Sequence, residues 1–446
     1  MKKTIIIFTL LSSVITTAQA IKGTLKQQIG QQISLTGFNY YETIELAKDT
    51  IDAAGNFTLN YPKNYKGMGI LKTQDKSKLV FVLTKPDINL TGNHLLETDS
   101  LQFTNSYENK NFMQYAKQQG LRGNALSALE FLLPLYKNTP LLATQKKFLK
   151  TITKEQIRLQ KEDDSFVSNL DNNSYVRWFI PYRKLVQEMP IIVRKKTEQI
   201  PQAITQFRNI DFNHPNFKTS GLFKEVIEGH YLLLENMGQS LDSMYVQMNL
   251  SSQYLIDNLK NNDSLLNIVS SKLFKYLEKR SLYKASEYLS LSLLNNNQCS
   301  LTDDLAAKLE SYRKMKVGNI APDILLENNT KLSDLKSNKL VVFGASWCPT
   351  CKKDALELLK HYDAWQTKNL NIIYISIDTD EKAFKLAYAN TPWQMYCDFN
   401  GWNTQAAKDY HVTGTPSYFL LDKNNKIIKR PVSVKHADVL INHHKL

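Results

Sequence analysis

The stretch Trp347-Cys348-Pro349-Thr350-Cys351 constrains this chain more than any other. The apolar run Leu340-Val341-Val342-Phe343 leads into it; the run is short, β-branched and bounded by Gly344, the pattern of a buried strand. Beyond it, Ala355, Leu356, Leu358 and Leu359 fall near one face of a helix, with Lys352, Lys353, Glu357 and Lys360 mostly elsewhere. The two cysteines therefore sit where a strand ends and a helix begins. Pro349 suits the first helical position, because its fixed φ fits there and its missing N–H would lack a partner anyway.

That placement has chemical consequences. At a helix N-terminus, unpaired N–H groups and the helix dipole favour a thiolate over a thiol, which makes Cys348 the candidate nucleophile. Cys351, almost one turn on, reaches back to resolve a mixed disulfide. The competing readings are half of a zinc site or a passive structural disulfide. Zinc wants a second ligand pair at similar spacing, whereas Cys299 and Cys397 stand alone, so no metal is assigned. Those two are read as inert buried thiols, with pairing across domains as the alternative. Four cysteines are too few to staple a chain of 446 residues.

The formal charge of +14 does not by itself indicate nucleic acid, because the basic residues are scattered and no basic run with interleaved aromatics occurs. Residues 1–20 read as a signal peptide: Lys2 and Lys3, the apolar segment Thr4 to Val14, then Ala18-Gln19-Ala20 around a cleavage site, with Ile21 as the first mature residue. No cysteine follows the apolar segment to carry a lipid, and no later stretch approaches the ~20 apolar residues that span a bilayer. The expectation is a soluble protein outside the cytoplasm, in the periplasm.

The order of patterns predicts a multidomain chain. Residues 21–105 show short alternating runs separated by turns such as Ala54-Gly55-Asn56, which predict an all-β, sandwich-like domain. Asp49, Asp52 and His94 are read there as surface or turn residues. Residues 106–316 turn helical, with amphipathic stretches at Ala125 to Tyr136, Gln145 to Lys161, Tyr182 to Val193 and Ser271 to Leu294, and breaks at Pro140, Pro190, Pro201 and Pro215. The aromatics Tyr175, Trp178, Phe179 and Tyr182 are read as helix core rather than a ligand platform, and His214 and His230 need no functional account. Residues 317–446 alternate strand and helix: a strand at Asn371 to Ile377, helices near Glu381 to Ala389 and Gln405 to Tyr410, a hairpin from Ser417, and a closing helix from about Lys435. This is a mixed-sheet α/β domain.

Three signatures in order, Ala321-Pro322-Asp323, the Trp347–Cys351 motif and Gly414-Thr415-Pro416-Ser417, resemble the thioredoxin fold, most closely the exported thiol–disulfide oxidoreductases of the TlpA and ResA type found in Bacteroidetes-like bacteria. More weakly, Thr50-Ile51-Asp52 and Gly55-Asn56-Phe57 resemble the β domain commonly joined to such modules. The resemblance implies that Cys348 and Cys351 are catalytic, that Trp347, Pro349, Thr350, Thr415 and Pro416 support them, that Pro416 is cis beside the disulfide, and that the Thr415 backbone pairs with substrate. The redox-active disulfide is then the whole chemical equipment, with no bound cofactor; partners are client proteins with disulfides or thiols and a membrane electron donor. The chain departs from the family at Val342, where many thioredoxins carry a buried acid, while Asp378-Thr379-Asp380 supplies carboxylates after the next strand.

The leading expectation is a reductase of protein disulfides. Alternatives are a disulfide-inserting oxidase or isomerase, and a binding or scaffold protein with an auxiliary redox domain. A thiol peroxidase is the weakest, because the Pro and Thr such enzymes place seven and three residues before their cysteine are Val341 and Ala345 here.

Overall fold

The computed structural model describes residues 18–295, 300–326, 329–412 and 414–443. They fall into two compact units, Met1–Ser240 and Leu241–Leu446, so the helical region expected over 106–316 is shared between them.

The first unit begins with strands β1 (Ala18–Leu25), β2 (Gln32–Asn39), β3 (Glu42–Thr50), β4 (Asn56–Pro62), β5 (Gly67–Thr73), β6 (Lys78–Leu83), β7 (Asp87–Gly92) and β8 (Gln102–Phe103). They form two four-stranded sheets, ordered β4-β1-β7-β8 and β3-β2-β5-β6. Both contribute to one apolar core, Ile21, Phe57, Leu59 and Ile88 from the first sheet and Ile33, Leu35, Leu71 and Phe81 from the second. Strict alternation of buried and exposed positions along β4 is what a sheet with one wet face requires. Asp52 accepts from the N–H groups of Ala54 and Asn56 in the turn before β4, and Gly55 there has φ +84, which a side chain would strain. His94 pairs with Asp75 at 3.0 Å.

Residues 1–17, most of the expected signal peptide, lie outside the described residues. Ala18–Ala20 belong to β1, opposite Asn60–Pro62, and the Gln19 amide donates to the carbonyls of Pro62 and Tyr65 at 2.9 Å each. A cut after Ala20 would therefore remove the first three residues of a paired strand.

Helices α1 (Tyr107–Asn138), α2 (Pro140–Ala143), α3 (Lys146–Ser168), α4 (Tyr175–Lys195), α5 (Ile200–Phe207) and α6 (Phe223–Glu235) complete this unit. Pro190 does not break the chain; it lies inside α4, as does Pro181. The helix continues because Phe179, Leu185, Met189 and Ile192 are buried together, so packing outweighs the hydrogen bonds each proline forfeits. Tyr175 and Phe179 are buried, and Trp178 stacks on His214 and meets Phe217 edge-on. His230 lies flat on Phe207 at 3.6 Å, and burial pushes its pKa down.

The second unit opens with α7 (Leu241–Leu259), α8 (Asp263–Lys279), α9 (Tyr283–Leu294) and α10 (Asp303–Lys314). The single helix expected over Ser271 to Leu294 is two: Ser281 takes φ +58 between α8 and α9, and apolar periodicity alone cannot register one left-handed residue. The α/β part follows: β9 (Asn338–Gly344), α11 (Pro349–Gln366), β10 (Leu370–Ser376), α12 (Glu381–Tyr388), β11 (Gln394–Tyr396), α13 (Gln405–Asp409), β12 (Ser417–Leu421), β13 (Ile427–Lys429) and α14 (Val434–His443). The sheet order is β11-β10-β9-β12-β13; the first three strands are parallel and the last two antiparallel. Alternate residues of β9 serve opposite faces. Leu340 and Val342 pack with Leu358 and Trp365 of α11 and Ala437 of α14. Val341 and Phe343 pack with Ala406, Tyr410 and the two cysteines. A central parallel strand buried on both sides explains why this run has no polar alternation.

Candidate functional site

At the C-terminal end of β9 the chain must turn sharply into α11. Gly344 has no room for a side chain, since a Cβ there would lie within 2 Å of the Tyr374 hydroxyl. Tyr374 is itself held at 3.0 Å from the Tyr388 hydroxyl. Cys348 is the N-cap of α11 and Pro349 its first residue. The Cys351 N–H donates to the Cys348 sulfur at 3.2 Å, one of the helix's orphan donors met by the sulfur itself. The two cysteines are joined as a disulfide with Cα atoms 5.2 Å apart. Cys348 is 6% exposed and Cys351 1% exposed, so the first is the one that a partner reaches more readily.

Thr415–Pro416 is a cis peptide bond, and the Thr415 carbonyl oxygen lies 3.7 Å from the Cys348 sulfur. Trp347 is exposed and its ring lies 6.4 Å from that of Trp402, which is also exposed. Thr350 and Pro349 are exposed on the first turn of α11, and Thr415 and Pro416 are half-buried. The expected residues thus meet in one place, although Thr350 touches neither sulfur among the described contacts.

The sequence names Asp378 only as one of two carboxylates after the next strand, and it gives no role to Ser346 or Ser376. Asp378, just past β10, is buried and accepts from the Ser346 N–H at 2.9 Å, from the Ser346 hydroxyl at 2.6 Å and from the Ser376 hydroxyl at 2.6 Å. It grips the residue two before Cys348, which fixes the entry to α11. A legible signal existed: Ser376 and Asp378 sit two apart at a strand end, where side chains share a face, next to a serine at the approach to the cysteines. Asp380, the other carboxylate considered, instead caps α12 through the N–H groups of Lys382 and Ala383. Val342 lies in the apolar core beside Ala355 and Leu358, so the position that carries an acid in many thioredoxins is dry and uncharged.

Cys299 lies outside the described residues. Cys397 is a free thiol whose sulfur is 3.7 Å from the Asp378 carbonyl oxygen, and burial pushes its pKa up, away from reactivity. The opening Asp323 accepts from the Ile324 and Ser333 N–H groups, and the Pro322 carbonyl accepts from Tyr410 at 2.8 Å, which anchors the start of the domain to the face carrying the cysteines. Val341 and Ala345 are fully buried and apolar, so nothing there orients a peroxide.

Residues 316–440 match the Redoxin family. The chain is 26% identical over 134 residues to thiol–disulfide oxidoreductase ResA of Bacillus cereus, covering 28% of this chain and 76% of that protein. It is 30% identical over 118 residues to human nucleoredoxin, covering 25% of this chain. This chain spans about a quarter of the length of the nucleoredoxins it matches, 22% of the rice protein and 27% of the human one. Among solved structures, the thioredoxin domain of a thiol–disulfide oxidoreductase from Bacteroides vulgatus is 25% identical and superposes with a TM-score of 0.27, covering 28% of this chain and 96% of that one. The C-terminal part of the chain is therefore a redoxin, thioredoxin-like thiol–disulfide oxidoreductase domain that carries the Cys348–Cys351 pair.

Proposed function

We propose that the whole protein is an exported oxidoreductase that reduces disulfides in client proteins. The observation that carries this reading is Cys348 at the N-cap of α11, its sulfur met by the Cys351 N–H and set beside the Thr415 carbonyl. In the reduced protein, the Cys348 thiolate attacks one sulfur of a client disulfide. The client S–S bond breaks, its electron pair leaves on the second client sulfur, and a mixed disulfide forms. Cys351, losing its proton, then attacks the Cys348 sulfur and expels the first client sulfur as thiolate. The client gains two electrons and takes up two protons, and Cys348–Cys351 is left as a disulfide. Pro349 and Thr350 set the first helical turn on which the thiolate rests, Trp347 flanks the attacking sulfur, and the backbone at Thr415 receives an extended client segment beside Pro416. The oxidised protein is recharged by a membrane electron donor. Export is supported by the basic and then apolar start of the sequence; among the described residues no helix is long and apolar enough to cross a membrane.

The variant Cys351→Ala tests the reading. It should accumulate mixed disulfides with client proteins in intact cells, and these should vanish when Cys348 is replaced as well; their absence from the single variant overturns the assignment. The reduction potential then fixes direction. A value near or below about −270 mV supports the reductase, whereas one near about −120 mV makes the protein a disulfide-inserting oxidant.

A further inference from the structure

The cis loop beside the disulfide is also one edge of a larger space. Gly414, Pro416 and Ser417 line a cleft of about 910 Å³ whose other wall is α8 together with the start of α9 and of α10. Arg430 fixes the two walls to one another: its guanidinium lies 5.8 Å from the Tyr283 ring of α9 and 5.2 Å from the Phe419 ring of β12. The helices thus face the same loop whose Thr415 carbonyl lies beside the Cys348 sulfur.

The lining has a definite chemistry. Lys275 and Lys279 come one turn apart from α8, Lys408 comes from α13, and all three are exposed. None of these lysines forms an ion pair among the described residues. With Arg430 they outnumber the two carboxylates in the lining, Glu278 and Asp304. Between the cations lie apolar surfaces, Phe274, Leu305 and Val412, with the exposed Trp402 at the same lining.

We infer that this cleft binds an extended, acidic polypeptide segment, the part of the client that flanks the cysteine exchanging with Cys348. The inference rests on the redox reading for what happens at the sulfur, but not for the binding itself. A polypeptide fits because β12 begins only at Ser417, so the main chain at 414–416, which borders the cleft and passes beside the Cys348 sulfur, lies outside the sheet. Acidity fits because cations on both walls raise the local concentration of a negatively charged chain.

Two synthetic peptides of equal length test this on the full chain. Each has one cysteine as a mixed disulfide with 2-mercaptoethanol between aliphatic residues, flanked by glutamates in one peptide and lysines in the other. The ratio of their second-order rate constants with the reduced protein is the readout, since a change in fold or potential moves both rates together. The acidic peptide should react about tenfold faster at low salt, the ratio should shrink as salt screens the cleft, and K275E/K279E/K408E should invert it. Equal rates, or a ratio that the triple variant leaves untouched, overturns the inference. If neither peptide nor bis(2-hydroxyethyl) disulfide is reduced, the redox reading has failed instead. Fluorescence anisotropy with serine in place of the peptide cysteine then decides the cleft alone: acidic-selective binding upholds it and indifference overturns it.

Discussion

Lys339 and Asp378 lie at opposite ends of the same pair of parallel strands; both are buried, and among the described residues neither forms an ion pair. Lys339 is in register with Asn371 near the start of β9; Asp378 follows Ser376, the last paired residue of β10. Both are at most 1% exposed. Neutral groups satisfy both. The Lys339 ammonium donates to Asn425 Oδ1 at 2.7 Å and, at 3.5 Å, to the carbonyls of Asp422 and Lys423, tying down the turn between β12 and β13. Asp378 receives a backbone N–H and two hydroxyls, and so ties down the approach to Cys348. A buried ionisable group whose hydrogen bonds all come from neutral groups is costly unless every partner is in place. The molecule spends the same device twice, once on a hairpin and once on chemistry. The lesson is that burial and charge alone do not mark a functional residue; what the group holds in position does.

The sharpest way to break this comparison is to remove Asp378. In D378A three buried donors lose their acceptor, so we expect a stability loss of about 2–4 kcal/mol and a rate with bis(2-hydroxyethyl) disulfide lower by about tenfold to a hundredfold, read by urea unfolding and thiol release. D378N, which keeps one acceptor oxygen, should fall between D378A and the native protein; a native-like rate in both would show that Asp378 is structural only.

K339M should cost about 1–3 kcal/mol, because it leaves the buried Asn425 oxygen unmet, with the rate unchanged within about twofold. A rate loss as large as that of D378A would erase the distinction between the two ends. Smaller still, S376A removes one donor of three and should cost about 1 kcal/mol; equality with D378A would mean that the Ser346 bonds carry nothing.

The pH dependence sharpens the same contrast. Burial holds the Lys339 pKa below its ordinary value, against the opposing pull of Asp422. In the window between that lowered value and about 10.4 the unfolded chain binds the extra proton, so stability rises with pH. The native protein should therefore gain on K339M across this window when unfolding is followed from pH 7 to 10.5. A constant gap would show that the ammonium is not penalised by its site.

The cysteine site was legible because it is local: strand, small turn and helix N-terminus occur in one continuous run from Leu340 to Cys351. The strand read at Asn371 to Ile377 forms as Leu370–Ser376 for the same reason, an apolar run with clear ends. What was not legible depends on partners distant in sequence. Lys339 stands just outside the apolar run, and only the turn 83–86 residues later turns a charged residue into an interior one. The three-residue strand β11 carries no pattern of its own and exists because β10 offers an edge. In the first sheet, β1 mixes Gln19, Lys22 and Gly23 among its apolar residues and is defined by β4 and β7 on either side. The helical middle read as one region for a similar reason: amphipathic faces announce that they are covered, not by what.

Cys348 and Cys351 do not merely sit on the core; they belong to the apolar cluster that includes Phe343, Ile377 and Tyr410. Reduction is therefore also an edit of the interior, and a closed cycle links the two events. The unfolding free energy of the oxidised protein minus that of the reduced protein equals the reduction free energy of the disulfide in the native chain minus that in the unfolded chain. Each 1.4 kcal/mol of that difference corresponds to about 30 mV. A fold firmer when oxidised makes the pair a stronger electron donor than it is in the unfolded chain, and one firmer when reduced makes it a stronger acceptor. Two denaturation curves, run without any redox buffer, thus weigh the same quantity that an electrode would.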